Sequence, residues 1–283
     1  MITKNSMQLK AIIKNKAIEN NISAQIVLQN YLLERLLERM SLSAYKDNFI
    51  LKGGFLIAAI VGLNTRATKD MDTTIKGFPL THEKLRSIFE HICAVHVEDN
   101  IVFSVTGVKD IQEGNEYPGL RIRLSASYPP LKESLQVDVT TGDIITPHEI
   151  DYSFKLLFDE RTIPILAYNL ETILAEKLET ILSRDVANTR PRDYYDIYIL
   201  YTLRYAECNM AILKQALEAT AKKRGSLAIM LKYNSIIDSV QESPQMRRFW
   251  KSYQEEFSYA KDLTFDDTCN AVIQIMDKIY SKA

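Results

Sequence analysis

The sequence is poor in cysteine, short of unbroken apolar runs and without net charge, and each shortage excludes something. Three cysteines, Cys93, Cys208 and Cys269, lie far apart with no CxxC pair. An odd, scattered set suits a reducing compartment better than a disulfide framework. The longest apolar stretch, Phe55 to Leu63, falls far short of the ~20 residues that span a bilayer. The opening MITKNSMQLKAIIKNK is charged throughout and has no apolar h-region. The expectation is therefore a soluble cytoplasmic protein with no membrane partner. Thirty-five Lys plus Arg against thirty-six Asp plus Glu give a formal charge of −1. No global positive field announces a nucleic-acid partner, so any such binding must come from a local patch. GxxxxGK[ST], HExxH and GxSxG are all missing, which argues against P-loop, zincin and hydrolase chemistry.

Glycine and proline are scarce in a patterned way. Neither occurs before Gly53, and eight of nine glycines and six of eight prolines fall between Gly53 and Pro164. Because these residues punctuate local structure, the outer parts should be helical and the middle mixed. Ser23 is a plausible N-cap for a run in which Leu28, Leu32, Leu36 and Met40 recur at helical steps, with Glu34, Arg35, Glu38 and Arg39 filling the opposite face. A helix across Met7–Ile18 precedes it. FILKGG reads as a short strand or helix end entering a Gly-Gly turn, and MDTTI as a strand. IVFSVTGV, LRIRLSA and LQVDVTT alternate at the period of two and look antiparallel. Thr81 caps a helix to Val95 that packs on them. From Asn169 the helical period dominates: 170–183, 193–203, 210–222, 227–238, 245–259 and 266–280. The chain is expected to be α+β, with residues 1–165 forming an α/β domain and 166–283 a helical bundle.

The chemistry concentrates in LKGGFLIAAIVGLNTRATKDMDTTI. On a strand, Asp70 and Asp72 put both carboxylates on one face, able to converge on one cation. Hard oxygens without thiolate or imidazole favour Mg²⁺ or Mn²⁺. Metals so held can align an attacking hydroxyl with a nucleotide α-phosphate and neutralise the departing pyrophosphate. Gly53 and Gly54, opening a helix, let backbone N–H groups approach phosphate, and Arg66 and Thr68 add a cationic fork and a hydroxyl. Asp138, between Val137 and Val139, supplies a third carboxylate; an exposed edge charge is the alternative reading.

Gly-Gly, a helical run, RATKDMD and a third strand aspartate resemble the minimal nucleotidyltransferase superfamily. LAEKLETIL and RPRDYYDIYIL bring the resemblance closer, to the AbiE-type toxin nucleotidyltransferases of abortive-infection toxin–antitoxin pairs. The motifs run from Lys52 to Asp196. The resemblance implies a nucleotidyltransferase-like mixed sheet with flanking helices, nucleotide-phosphate contacts from Lys177 and Arg192, and completion of the active site by Asp193. It also implies a nucleoside triphosphate substrate, the 3′ end of tRNA as acceptor, arrested translation and growth, and a separately encoded antitoxin. A small-molecule or protein acceptor, or a nucleotide- or RNA-binding regulator without turnover, are the other readings. Phe55 stands where the family often has Thr or Ser after Gly-Gly, and Lys69 where an acid or polar residue often precedes the first aspartate; both bear on nucleotide preference.

On the residues alone, Lys177 also fits an ordinary helical surface between Glu176 and Glu179, and Pro191 with Asp193 also fits helix capping. His91, Cys93 and His96 read as structural. Tyr198, Tyr201 and Tyr205 read as a packing face. The clusters Lys222-Lys223-Arg224 and Arg247-Arg248-Lys251, interleaved with Phe249, Trp250 and Tyr253, are the candidate RNA-phosphate contacts if the substrate is RNA, a solvated face being the default.

Overall fold

The computed structural model describes residues 3, 5–111 and 119–280. Two compact units emerge, one of residues 1–143 with 150–167, the other of residues 144–149 with 168–283.

The first unit begins with two helices, α1 (Ser6–Asn20) and α2 (Ala24–Leu42), the second capped by the Ser23 side chain as its sequence predicts. Strand β1 (Phe49–Lys52) runs directly into α3 (Gly53–Val61). Then come β2 (Met71–Ile75) and α4 (His82–Ala94), whose N-cap is Thr81. The long strands β3 (Val102–Ile111), β4 (Gly119–Tyr128) and β5 (Leu131–Thr141) form the expected antiparallel meander. Two further strands, β6 (Ile150–Lys155) and β7 (Thr162–Ala167), close a seven-stranded mixed sheet of order β3-β4-β5-β2-β1-β7-β6. The β1–β7 and β2–β5 pairs are parallel. Neither β6 nor β7 stands out in the sequence, and Pro164 inside TIPILA argues against a paired strand. It is tolerated because β7 meets β1 only at Leu166 and Ala167, beyond the proline.

Helix α2 corrects one expectation. Its charged face does not look at water: Glu34, Arg35, Glu38 and Arg39 are all buried. Arg35 pairs with Glu34 at 2.8 Å and also with Glu38. Arg39 forks onto Asp99 at 2.7 and 2.8 Å and donates to the Ile101 carbonyl. Period alone separates two faces of a helix; here both are covered, so the second face needs internal charge pairing to be buried at all.

The second unit holds α5 (Leu170–Arg184), α6 (Pro191–Arg204), α7 (Met210–Lys223), α8 (Leu227–Met230), α9 (Tyr233–Glu242), α10 (Pro244–Glu256) and α11 (Phe265–Tyr280). Leu174, Leu178, Tyr194, Leu200, Leu217, Ile237, Trp250 and Met276 are buried in its core. The expected helix 227–238 is interrupted at Leu231 and Lys232 with no Gly or Pro to mark the break, and α10 stops at Glu256 rather than reaching Tyr259. Among the described residues no helix is long and apolar enough to cross a membrane.

Candidate active site

The Gly-Gly turn lies where β1 becomes α3. Gly53 has φ +66°, and a Cβ built there would lie 2.2 Å from Asp72 Oδ2. A Cβ on Gly54 would meet Thr68 Oγ1 at 3.0 Å and Arg66 Nη2 at 3.1 Å. Thus Gly53, Gly54, Arg66, Thr68 and Asp72, predicted from sequence to share a site, are brought together around one helix N-terminus. At that terminus Lys52, in the N-cap position, makes no side-chain capping bond. The loop carrying Arg66 and Thr68 is held from below, because Asn30 of α2 donates to the Thr68 carbonyl at 2.7 Å and the buried Arg66 donates to the carbonyl of Ala67.

Gly53 therefore answers two demands, a left-handed backbone and a carboxylate against its Cα, that L-residues meet badly. Gly53→Ala should cost about 1–2 kcal/mol for the backbone and displace Asp72. Since a ~1 Å misplacement of a reacting group can cost about 100-fold, transfer activity is expected to fall about that much while Tm drops only a few degrees. A Gly53→Ala protein with wild-type kcat would show that the contact has no part in turnover.

Strand register builds the rest. Lys52 lies opposite Asp72 on β1–β2, Asp72 opposite Asp138 on β2–β5, and Asp138 opposite Arg121 on β5–β4. Residues opposite one another share a face, so one row across the sheet reads Lys52, Asp72, Asp138, Arg121. Arg121 was not among the sequence candidates. Its Nε and Nη2 donate to Asp138 Oδ1 and Oδ2 at 2.5 and 2.6 Å. That bond holds the guanidinium pKa above its usual value against some desolvation, with the charges of Asp138, Asp70 and Asp72 acting the same way. At the other end Lys52 pairs with Asp143. Burial pushes the Asp143 carboxyl up, but the Lys52 ammonium and the hydrogen bonds from Lys52, Thr140 and Thr74 outweigh it and hold the pKa at about 2.

Among the described residues no group of three or more His, Cys, Asp or Glu side chains is arranged to hold a metal ion. Asp138 spends both oxygens on Arg121, which narrows the carboxylates expected to hold a metal to Asp70 and Asp72. Two carboxylates fit a hard cation such as Mg²⁺ that takes its remaining ligands from substrate phosphate and water; they do not make a preformed cage.

A second cluster lies within the helical unit. Lys177 Nζ on α5 is 2.5 Å from Asp193 Oδ1 and 2.9 Å from Asp196 Oδ2, both on α6. The Asp193 and Asp196 side chains are 3% and 0% exposed, that of Lys177 17%. Burial pulls the lysine pKa down, yet the two carboxylates more than compensate and it stands above its ordinary value. Pro191 does occupy the first helical turn. The Asp193 carboxylate, however, turns to Lys177, and its Oδ2 is buried without a hydrogen-bond partner among the described residues. Asp196 is a full member of the group. Arg192 is exposed.

The candidate RNA-contact helices read differently in three dimensions. Arg224 is paired with Glu176 and Glu179, and Arg247 with Asp266. Trp250 and Tyr253 are buried, and the indole donates to the Leu263 carbonyl at 3.1 Å. Trp250 and Tyr253 therefore pack the bundle and offer no stacking platform, and only Phe249 of the three is partly exposed.

No curated protein sequence matches the chain. Two solved structures share its fold: a Helicobacter pylori protein assigned as a nucleotidyltransferase, with TM-score 0.51, 14% identity and 92% of this chain and 96% of that chain covered, and JHP933 from Helicobacter pylori, with TM-score 0.51, 13% identity and 91% and 93% covered. The model of the family described as nucleotidyl transferase AbiEii toxin, type IV toxin–antitoxin system, matches residues 35–271. With Gly53 against Asp72, and matched by that family over most of its length, the chain is an enzyme of that class: it belongs to the AbiEii nucleotidyltransferase toxin family.

Proposed function

We propose that the protein transfers a nucleotidyl group from a nucleoside triphosphate to the 3′ end of an RNA, with tRNA as the acceptor, and thereby arrests translation and growth until a cognate antitoxin intervenes. The observation that carries the reading is the seating of Asp72 against Gly53, which sets a carboxylate beside the glycine turn that opens α3. The first-turn N–H groups of α3, the Arg66 guanidinium and the Thr68 hydroxyl bind and orient the triphosphate. Asp70 and Asp72 would hold Mg²⁺, which would supply neutralisation of charge on the α-phosphate and on the leaving pyrophosphate. In the transfer the acceptor hydroxyl oxygen forms a bond to the α-phosphorus as the bond to the bridging oxygen of the pyrophosphate breaks. The hydroxyl proton goes to a base. The family resemblance has Asp193 complete the active site, where it would position or activate the attacking hydroxyl, and gives Lys177 a contact to the nucleotide phosphates.

Incubating the protein with each labelled triphosphate, Mg²⁺ and total tRNA should place label on the tRNA 3′ end and release pyrophosphate. Label on the protein itself, or none on RNA with any triphosphate, would overturn the choice of acceptor. Expression in a host without the antitoxin should stop growth.

A further inference from the structure

We propose that the uncovered face of β3–β4–β5 is the track on which a single-stranded RNA acceptor lies as its 3′ end approaches Asp70 and Asp72. This rests on the RNA-acceptor reading above. Within this unit, α2 and α4 lie against one side of these strands. The covered side carries the buried Phe103, Leu124 and Ala126, and Arg39 of α2 stacks on the Phe103 ring at 4.7 Å. The other side is mostly polar, with the exposed Val102 at one end, opposite Ser127.

The charges are sorted between the two sides. Asp110 lies opposite the buried Leu120 and pairs with His82 of α4 at 3.0 Å. Glu133 lies opposite the buried Ala126 and accepts from Gln25 of α2 at 3.0 Å. Both acids thus belong to the helix-covered side. The uncovered side presents Lys109, Arg121, Arg123 and Lys132. Among the described residues of these strands its one carboxylate is Asp138, which Arg121 already forks. Lys109, Arg123 and Lys132 are exposed.

This surface is continuous with the site. Lys109 lies opposite Arg121, which extends the row Asp72, Asp138, Arg121 by one strand. At ~4.8 Å between strands, Lys109 is about 14 Å from Asp72. Placing two cations opposite each other costs stability, a cost that an anionic strand laid across them reverses. Ser104 and Ser125, opposite one another, add hydroxyls on the same side. Phe103 and Tyr128 are buried on the covered side, so these strands offer charge and hydroxyls with no aromatic platform. Such a face recognises a sugar-phosphate backbone rather than base sequence.

The test uses the full chain and total tRNA labelled at its 5′ end, so that the single-stranded 3′ end keeps the free hydroxyl the transfer needs. Lys109→Glu/Arg123→Glu should weaken binding about tenfold or more and flatten the dependence of log K on log salt by roughly one per cation lost. Its KM for RNA should rise and its KM for the triphosphate should hold. Lys109→Gln/Arg123→Gln, which adds no repulsion, should fall by an intermediate amount. Lys84→Glu, the same reversal on α4, should bind as wild type. If wild type labels RNA and the double variants do so with unchanged KM and salt slope, or if Lys84→Glu loses as much, the track is wrong while the acceptor reading stands. If wild type neither binds nor labels RNA, both fall.

Discussion

Asp72→Asn is expected to reduce nucleotidyl transfer by about 1,000-fold or more while leaving the protein folded. The two side chains are nearly isosteric, so the amide can occupy the place against Gly53 that the carboxylate holds now. What is lost is a charge. A hard cation held by Asp70 and Asp72 would lose one of its two protein anions, and that electrostatic contribution is worth several kcal/mol in the transition state, each 1.36 kcal/mol being tenfold in rate. Stability should change little, since Asp72 lies between Lys52 and Asp138 in the sheet, one attracting and the other repelling its charge. Turnover of labelled triphosphate at saturating Mg²⁺, Mn²⁺ binding followed by its paramagnetic signal, and thermal unfolding separate the two effects. An Asp72→Asn protein that keeps a tenth of wild-type activity, or that binds Mn²⁺ as wild type does, removes Asp72 from the metal site.

The candidate site was legible in the sequence where its parts are near in the chain. Gly53, Gly54, Arg66, Thr68 and Asp72 fall within twenty residues of one another, and a strand-turn-helix followed by a returning antiparallel strand leaves them little choice but to meet. Arg121 was hidden for the converse reason. The alternation in LRIRLSA places Arg121 and Arg123 on a polar face, but which acid an arginine on β4 meets is set by its register with β5, and a shift of one residue would exchange every partner. Asp138 was visible as an acid on a strand; its fork with Arg121 was not.

The fold shows the same division. Caps at Ser23 and Thr81 and the meander β3–β5 carry local signals that the structure keeps. Strands β6 and β7 carry a weak one, being short and holding Pro164, and exist because β1 offers them an edge. The charged face of α2 shows the limit most clearly. Its sequence is that of a half-exposed helix, and only Asp99 and Arg161, sixty and more residues away, complete the pairing that lets it be buried.

Lys177→Met should lower stability more than any surface change in the molecule. The methionine fills similar volume and suits a helix, but it leaves Asp193 and Asp196, at 3% and 0% exposure, without their cation. Removing one partner of a buried ion pair costs about 3–5 kcal/mol, which for a unit of this size corresponds to a fall in Tm on the order of 10 °C. The pH dependence has a definite sign. The lysine pKa is raised in the folded state, so its contribution is fully present below its unfolded value near ~10.4 and is lost only as pH rises through the folded value. Wild type should therefore keep this contribution from neutral pH to the onset of lysine titration. Adding Asp193→Asn and Asp196→Asn to Lys177→Met removes the uncompensated charge and should recover most of the Tm. If the cluster is structural alone, that triple variant also recovers turnover. If Lys177 and Asp193 take part in the reaction, it regains the fold and stays inactive, and this split between Tm and kcat is the result expected.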